Sequence, residues 1–330
     1  MRDVLETGKS LLPGLSVAVL VAMAAQFLSE HYGAPAMLMA ILIGLAFHFL
    51  SDDPRTAAGL AFASKVVLRL GVALLGLRIS FATVAALGPA PLFVVVAGVV
   101  ATILFGLGLA RIMRQPKAFG FLTGGSVAIC GASAAMAIAA ILPPSPERER
   151  NLSFTVISVT LMSTIAMVFY PILASKMGLD PISAGLLLGA TIHDVAQAAG
   201  AGFSVSPETG EIATMFKLFR VALLGPVIVM AALILRRHGS PSAGKVPILP
   251  GFVVVFLCMA SANTAGFVPS LVVDGIRPVT NAALLTAIAA VGIKTSIPAV
   301  MKVGPSAILT VLLETLFLLG FVVLCLQVAI

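Results

Sequence analysis

Long apolar segments alternate with short polar connections along the whole chain. An α-helix needs about 17 to 25 mostly apolar residues to cross a hydrocarbon core of roughly 30 Å. The connections, such as residues 51–55 and 143–148, are too short to hold soluble domains. The pattern therefore predicts an all-α membrane protein with one membrane domain, residues 1–330, and about eleven transmembrane helices. The predicted spans are 11–29, 34–50, 59–80, 91–113, 124–142, 152–175, 183–201, 212–235, 248–264, 277–293 and 304–328.

The composition agrees with a membrane location. Of the 330 residues, 60% are hydrophobic and 10% are charged, whereas about a quarter of a soluble domain is charged. The formal net charge of +7 would suggest nucleic acid in a soluble protein, but in a membrane protein the position of the charges matters more. Cys130, Cys258 and Cys325 lie in apolar stretches without CxxC spacing. We therefore expect neither a disulfide framework nor a metal site, and no cofactor except H⁺ or Na⁺ as a coupling ion.

Lysine and arginine in the connections predict the orientation, because they are enriched on the cytoplasmic side. We expect a multi-pass protein of the bacterial inner membrane, with the N-terminus cytoplasmic and the C-terminus outside. Ala22-Met23-Ala24 could serve as a signal-peptidase site, but the apolar run continues to Leu28, which favours a retained helix. One side carries Arg2, Lys9, Arg55, Arg111, Arg114, Lys117, Lys176, Arg236, Arg237, Lys245, Lys294 and Lys302; the other carries Arg148, Arg150 and Arg277.

Residues 34–178 resemble residues 183–330, which indicates an internal repeat. Chance similarity between apolar segments is the alternative, and four anchors in the same order argue against it. Each unit holds five helices, an odd number, so the two copies would have opposite orientations, as in alternating-access transporters. With 11–29 outside the repeat, the layout is one plus five plus five. The anchors are Ile43-Gly44 and His48 with Leu188-Gly189 and His193, Lys65 and Arg69 with Lys217 and Arg220, residues 72–76 with 221–225, and 137–140 with 287–290.

The fourth helix of each unit is irregular, which makes it the candidate substrate site. Residues 124–133 contain three glycines and two serines, a composition that favours a helix break with free amides for an anion. The alternative is close helix packing through small residues. Residues 277–282, at the same place in the second unit, contain a proline and Asn281. The predicted substrate-binding residues are Gly125, Ser126, Cys130, Gly131, Ser133 and Asn281.

The seventh span has the densest polar cluster. Helical spacing would put Ala190, Asp194 and Gln197 on one face, with His193 beside them. A buried carboxylate in a membrane is costly and marks an ion path or a pair. We therefore predict His193, Asp194, Gln197, Lys217 and Arg220 as coupling or transport residues. The alternatives are an Asp194 pair with Lys217 or Arg220 that only joins two helices and, for the basic pairs Lys65–Arg69 and Lys217–Arg220, snorkelling to the headgroups.

Three segments resemble a known family: residues 124–134, residues 189–197 and Leu75-Gly76-Leu77-Arg78-Ile79. They are similar to the YeiH-type putative sulfate exporters, which are placed near the bile-acid/arsenite/riboflavin transporter superfamily. In that family the histidine is commonly followed by glutamate, and Asp194 stands here. The resemblance implies a fold like those of the sodium/proton antiporters and bile-acid transporters, with two crossing broken helices. By the repeat these would be 124–142 and 277–293.

Three functions are compatible with these features. The first is a secondary transporter that exports or exchanges a small anion (sulfate, a sulfonate or a carboxylate) coupled to H⁺ or Na⁺. The second is a monovalent cation/proton antiporter, which would need an acid on the crossing helices, where 124–142 and 277–293 have none. The third is an intramembrane enzyme using Cys130 and His193, and we expect no enzyme. The expected partners are a small anionic solute and the lipid bilayer but no nucleic acid, and a homodimer stays open.

Overall fold

A computed structural model describes residues 2–79, 88–237, 250–295 and 305–329, and every regular element among them is helical. Most of the helices are long and apolar, which agrees with the predicted fold class. Of the basic residues that predict the orientation, Lys245 and Lys302 lie outside the described residues. The helices are α1 (Arg2–Tyr32), α2 (Ala36–Ala46), α3 (Pro54–Arg78), α4 (Ala90–Ile112), α5 (Lys117–Ala128), α6 (Ala132–Ile141), α7 (Arg148–Lys176), α8 (Pro181–Thr191), α9 (Val195–Val205), α10 (Pro207–Ala222), α11 (Leu224–Arg237), α12 (Gly251–Thr264), α13 (Ser270–Lys294) and α14 (Pro305–Ala329).

Seven helical segments in the described part of the chain are long and apolar enough to cross a membrane. Shorter apolar helices, among them α2, α6, α8, α9 and α12, lie between them. Eleven spans would result if α2 and α12 each crossed alone and if α5–α6 and α8–α9 each formed one interrupted span. The number eleven and the inverted repeat stay predictions. The seven segments are 10–32, 54–78, 90–112, 148–176, 207–235, 271–294 and 308–328.

Two pairs of consecutive short helices, α5–α6 and α8–α9, are each separated by a break of three residues. The first break, residues 129–131, separates α5 from α6 and falls inside the segment that the sequence predicts to break. The second break, residues 192–194, separates α8 from α9. One long helix, α7, lies between the two interrupted helices. The chain turns back at each break, because Gly125 of α5 meets Ile138 of α6, and Gly185 of α8 and Gly202 of α9 both meet Ala213 of α10.

The predicted break in 277–293 is wrong, because α13 runs without interruption from Ser270 to Lys294 and includes Pro278. Proline removes the hydrogen bond to the carbonyl four residues earlier, here that of Asp274. Asp274 is exposed in the first turns of α13, where water can satisfy that carbonyl. The proline therefore lies where a helix tolerates it.

The helices form two groups. Helices α1, α2, α3, α12 and α13 pack against one another, and α4 to α11 pack with α14. Between the groups, α9 contacts both α2 and α13, and α10 contacts α12. Glycines allow a close crossing of α2 and α13 within the first group: a Cβ on Gly44 of α2 would lie 2.6 Å from the Ala289 carbonyl oxygen, and one on Gly292 of α13 would lie 2.6 Å from that of Ile41.

Candidate functional site

Two cations of α10 hold the carboxyl ends of α5 and α8 together. Lys217 Nζ donates to the carbonyls of Ile129 at 2.6 Å and of Ile192 at 2.9 Å. Both Lys217 and Arg220 are buried, with exposures of 0% and 1%. On the α5 side, Arg220 donates from Nε to the Ala128 carbonyl at 2.9 Å and from Nη2 to the Val127 carbonyl at 2.8 Å. On the α8 side, its Nη1 donates to the carbonyls of Ile192 at 3.0 Å and Gly189 at 3.2 Å.

These contacts explain why a lysine and an arginine tolerate burial in a membrane helix. The last carbonyls of a helix have no partner within it and carry the negative end of the helix dipole. Lys217 and Arg220 supply donors and positive charge to two such ends at once. Lys217 and Arg220 therefore do not snorkel to the headgroups. They do not pair with Asp194 either, since no ion pair among the described residues includes Lys217, Arg220 or Asp194.

The amino ends of α6 and α9 lie on the other side of the breaks and differ in their capping. Asp194 is the N-cap of α9, and its Oδ1 accepts from the backbone N–H groups of Ala196 at 2.8 Å and Gln197 at 3.2 Å. Gly131 is the N-cap of α6 and has no side chain to supply a cap. Its φ of 61° lies in the left-handed region, which only glycine adopts without strain.

A small cavity of about 60 Å³ lies between these two helix ends. Its volume is enough for a few water molecules or one small ion. The wall includes Val291 of α13, so the cavity also lies where the two helix groups meet. It is lined by Gly131, Ala132, Val159, Thr160, Ser163, His193, Asp194, Gln197 and Val291.

Polar side chains of α7 fix the second break against the cavity. Ser163 Oγ accepts from the Asp194 backbone N–H at 2.9 Å, and Gln197 Nε2 donates to Thr164 Oγ1 at 2.8 Å. Gln197 is 1% exposed, and its Oε1 has no hydrogen-bond partner among the described residues. The cavity thus keeps one buried acceptor with unused hydrogen-bonding capacity.

His193 connects the second break to α14. Thr315 Oγ1 donates to the Val311 carbonyl at 2.7 Å, so the 3.0 Å contact with His193 assigns the imidazole proton to Nε2 as the donor. The ring is fully buried. Its Nδ1 has no hydrogen-bond partner in the described ranges, although the Val127 carbonyl comes near the ring.

The other predicted substrate-binding residues take different positions. Ser126 is buried, and its hydroxyl donates to the Leu122 carbonyl of its own helix. A Cβ on Gly125 would lie 2.4 Å from Ile138 Cδ1, so this glycine serves packing between α5 and α6. Cys130 is buried inside the first break, whereas Ser133 is exposed on α6. Among the described residues, neither imidazole nitrogen of His193 hydrogen-bonds to the Cys130 sulfur.

Asn281 lies apart from both breaks. Its Oδ1 accepts from Arg78 Nη1 at 2.9 Å, and Arg78 Nη2 pairs with Glu211 at the start of α10. The Phe203 ring lies 5.7 Å from the Arg78 guanidinium. Asn281 and Phe203 line a wider cavity of about 580 Å³ beside α1 and α2. The structure therefore does not bring Asn281 to the cavity at the breaks.

Sequence reasoning treated 183–201 as one continuous helix and so missed the second break. A signal was present, because Asp194 followed three residues later by Gln197 has the spacing of a capping box, which marks a helix start. It also missed Ser163, Thr164 and Thr315, since no single-sequence pattern shows which hydroxyls of α7 and α14 face a break.

Comparisons with known proteins agree on one family. A family model described as conserved hypothetical protein 698 matches residues 13–311. The UPF0324 membrane protein TauZ of Paracoccus pantotrophus is 56% identical over 314 residues, which cover 94% of this chain and 93% of that protein. TauZ of Paracoccus denitrificans is 54% identical over 320 residues, with 96% and 95% covered. A UPF0324 membrane protein of Rhizobium meliloti is 53% identical over 313 residues, with 94% and 91% covered.

No solved structure matches the chain significantly. The relatives align over nearly their whole length, and the matched region contains both breaks and α10. The chain therefore belongs to the UPF0324 family of membrane proteins, the YeiH-type family that its motifs resemble.

Proposed function

We propose that this membrane protein is a secondary transporter of a small anion, which binds in the cavity at the amino end of α6. The observation that carries the proposal is the start of α6 at Gly131, which has no side-chain cap and lies beside a small cavity with polar side chains in its wall. The first N–H groups of a helix have no partner within it and carry the positive end of its dipole. They are natural donors to sulfate, a sulfonate or a carboxylate.

The place of the cavity supports transport rather than static binding. The lining includes α6, α7 and α9 of one helix group and Val291 of the other. Transporters of the alternating-access type hold their substrate at broken helices, where two bundles meet near the membrane midplane. Movement of one group against the other would open this cavity to either side in turn.

The charges around the breaks favour an anion. Each helix end counts for roughly half an elementary charge, so the amino ends of α6 and α9 roughly balance the carboxyl ends of α5 and α8. The remaining charges are the two positive charges of Lys217 and Arg220 and the one negative charge of Asp194. The breaks therefore hold about one positive charge in excess, which a monovalent or partly protonated anion would neutralise.

Asp194 gives a physical route to coupling with H⁺ or Na⁺. Its carboxylate occupies the amides of Ala196 and Gln197 that would otherwise also face the cavity. An ionised Asp194 repels an incoming anion, and a protonated one does not. Proton binding and anion binding at the breaks would thus favour each other, as coupled transport requires.

A monovalent cation/proton antiporter is the second candidate, and Asp194 at a break is the observation that favours it. The absence of an acid from 124–142 and 277–293 no longer counts against it, since the second interrupted helix is α8–α9. Lys217 and Arg220 of α10, whose side chains bind the carbonyls at both breaks, disfavour a bound cation. The Asp194 carboxylate is already held by amides. We therefore prefer the anion.

The test is a thermal-shift measurement on the purified protein in detergent, followed by counterflow in proteoliposomes. Sulfate, ethanesulfonate and succinate are compared with NaCl and LiCl at constant ionic strength. At least one of the three anions should raise the melting temperature and exchange across the membrane. Stabilisation by Na⁺ or Li⁺ with no response to any anion would favour the antiporter instead.

Asp194→Asn is the diagnostic variant, with Asp180→Asn as its matched control, because Asp180 is likewise a helix N-cap but lies before α8. We expect Asp194→Asn to bind the anion with a weaker dependence on pH than the wild type, because the amide cannot titrate. The control should keep the wild-type pH dependence. A wild-type pH profile in Asp194→Asn would refute the coupling role.

A further inference from the structure

Glu314 is a second buried acid, and the site at the breaks does not use it. It lies in α14 with 0% exposure, and α14 packs against α4, α5, α7 and α8. Its Oε1 accepts a hydrogen bond from Thr123 Oγ1 of α5 at 2.8 Å. Its Oε2 has no hydrogen-bond partner among the described residues.

Glycines of α4 and α5 make the space that this carboxyl occupies. A Cβ on Gly106 would lie 2.7 Å from Glu314 Oε1 and 2.7 Å from the Gly120 carbonyl oxygen. One turn earlier on α4, the buried Thr102 hydroxyl also has no partner within the described ranges. The two helices thus enclose a polar spot at their closest approach instead of filling it with methyl groups.

The helices around Glu314 offer no cation to balance a charge on it. His193 comes nearest through Thr315, and Lys217 and Arg220 are held by the carbonyls of the breaks. Helix α8 has no charged residue in its sequence. The other charged or titratable groups on the packed helices are Arg111 on α4, Lys117 on α5, and Arg148, Glu149, Arg150, Tyr170 and Lys176 on α7; except for Tyr170, they lie at the helix ends.

An ionised carboxylate with one hydroxyl donor and no cation is far more costly in an apolar interior than a neutral carboxyl. Glu314 therefore carries its proton in this conformation, on the oxygen that lacks a donor. An aqueous path or a new donor at Oε2 in another conformation would let the proton leave to water. Buried acids with this property are typical of proton relays in transporters.

The position of Glu314 connects it to both breaks. The next residue, Thr315, contacts His193 of the second break, and Thr123 lies on α5, which ends at the first break. A shift of either break would change the partners of this carboxyl. We propose that Glu314 is a proton-binding site of the transport cycle, taking one proton from water on one side and releasing it to water on the other. This inference rests on the proposed anion transport.

The test compares wild type and Glu314→Gln in proteoliposomes, with radiolabelled sulfate and ethanesulfonate as probes and the membrane potential clamped. Glutamine keeps the size of the side chain and an oxygen to accept from Thr123. Counterflow exchanges anion for anion and needs no net proton movement, so it should persist in Glu314→Gln. A gradient of about one pH unit supplies about a tenfold accumulation for each coupled proton, and Glu314→Gln should lose that factor.

A second variant, Glu314→Asp, separates proton binding from packing. It keeps a titratable carboxyl and should retain accumulation driven by the pH gradient, at a lower rate. Wild-type accumulation in Glu314→Gln would overturn the proposal. A second outcome would also overturn it: both Glu314→Gln and Glu314→Asp fold but show no counterflow. If the wild type showed counterflow with neither sulfate nor ethanesulfonate, anion transport would be refuted, and this inference with it.

Discussion

Arg220 provides the sharpest test of how the two breaks are held. Its guanidinium makes four hydrogen bonds to carbonyls of two different interrupted helices. Arg220→Met keeps an unbranched apolar stem and removes every donor, so the carbonyl ends of α5 and α8 lose one of their two shared partners, and Lys217 remains. We expect the variant to be strongly destabilised and to lose anion binding, because the breaks also position the cavity.

The magnitude follows from those four bonds. Hydrogen bonds between membrane helices average about 0.6 kcal/mol and reach about 1.7 kcal/mol, and bonds to a charged group contribute about 1.5–3 kcal/mol in soluble proteins. Taking about 1 kcal/mol for each bond, Arg220→Met should lower the free energy of unfolding by about 4 kcal/mol. Removing a buried charge offsets part of this loss, but the carbonyls are then left unpaired.

The assay is reversible unfolding in bicelles, with Arg69→Met as the matched control. Arg69 is exposed on α3 and lies 5.9 Å from the Phe252 ring, so its loss should change the stability by less than about 1 kcal/mol. Equal stabilities of Arg220→Met and wild type would refute the assignment of Arg220 as a clamp between the helix ends. A loss of the same size in Arg69→Met would show that the effect is not specific to the breaks.

Two further predictions concern stability. A Cβ on Gly292 would meet the α2 backbone, so Gly292→Ala should lower the free energy of unfolding by about 1–3 kcal/mol. The control is Gly275→Ala on the same helix, where nothing lies within 4 Å of the added Cβ. This variant should be neutral or slightly stabilising in the same unfolding assay. Equal effects of the two would contradict the crossing. Asp180 lies outside the spans, and hydrogen bonds from Ser183 and from the first amides of α8 hold its pKa below the ordinary value. The ionised cap therefore stabilises the fold above about pH 4. This stabilisation is lost as the pH falls through the folded-state pKa of Asp180. Asp180→Ala should cost about 1 kcal/mol at neutral pH and nothing in acid, and a pH-independent difference would refute the role of its charge.

The fold class and the first break were predictable from the sequence, whereas the second break and the role of α10 were not. The length of the apolar segments predicts where helices cross the membrane, and the glycines and serines of 124–133 predict an interruption there. Pro278 led to a wrong second break, because α13 continues through this proline, and the carbonyl that it leaves without a donor belongs to the exposed Asp274. Lys217 and Arg220 were recognised as unusual, but their partners are backbone carbonyls, which carry no side-chain signature in a sequence.

The site was predicted in part for the same physical reason. Gly131, His193, Asp194 and Gln197 meet at the cavity because each lies within a few residues of a break. Asn281 entered the prediction only through the assumed break in 277–293, and its contact with Arg78 places it elsewhere. Contacts between distant helices, such as that of Thr315 with His193, depend on the packing of the whole domain.

The central claim is that an anion binds at the amino end of α6, and a structure with selenate in place of sulfate tests it most directly. Selenium gives an anomalous signal that distinguishes the anion from water. The account predicts a peak in the cavity lined by Gly131, Ser163 and Gln197, within hydrogen-bonding distance of the first amides of α6. A peak only in the wider cavity beside Asn281, or none while selenate stabilises the protein, would contradict it.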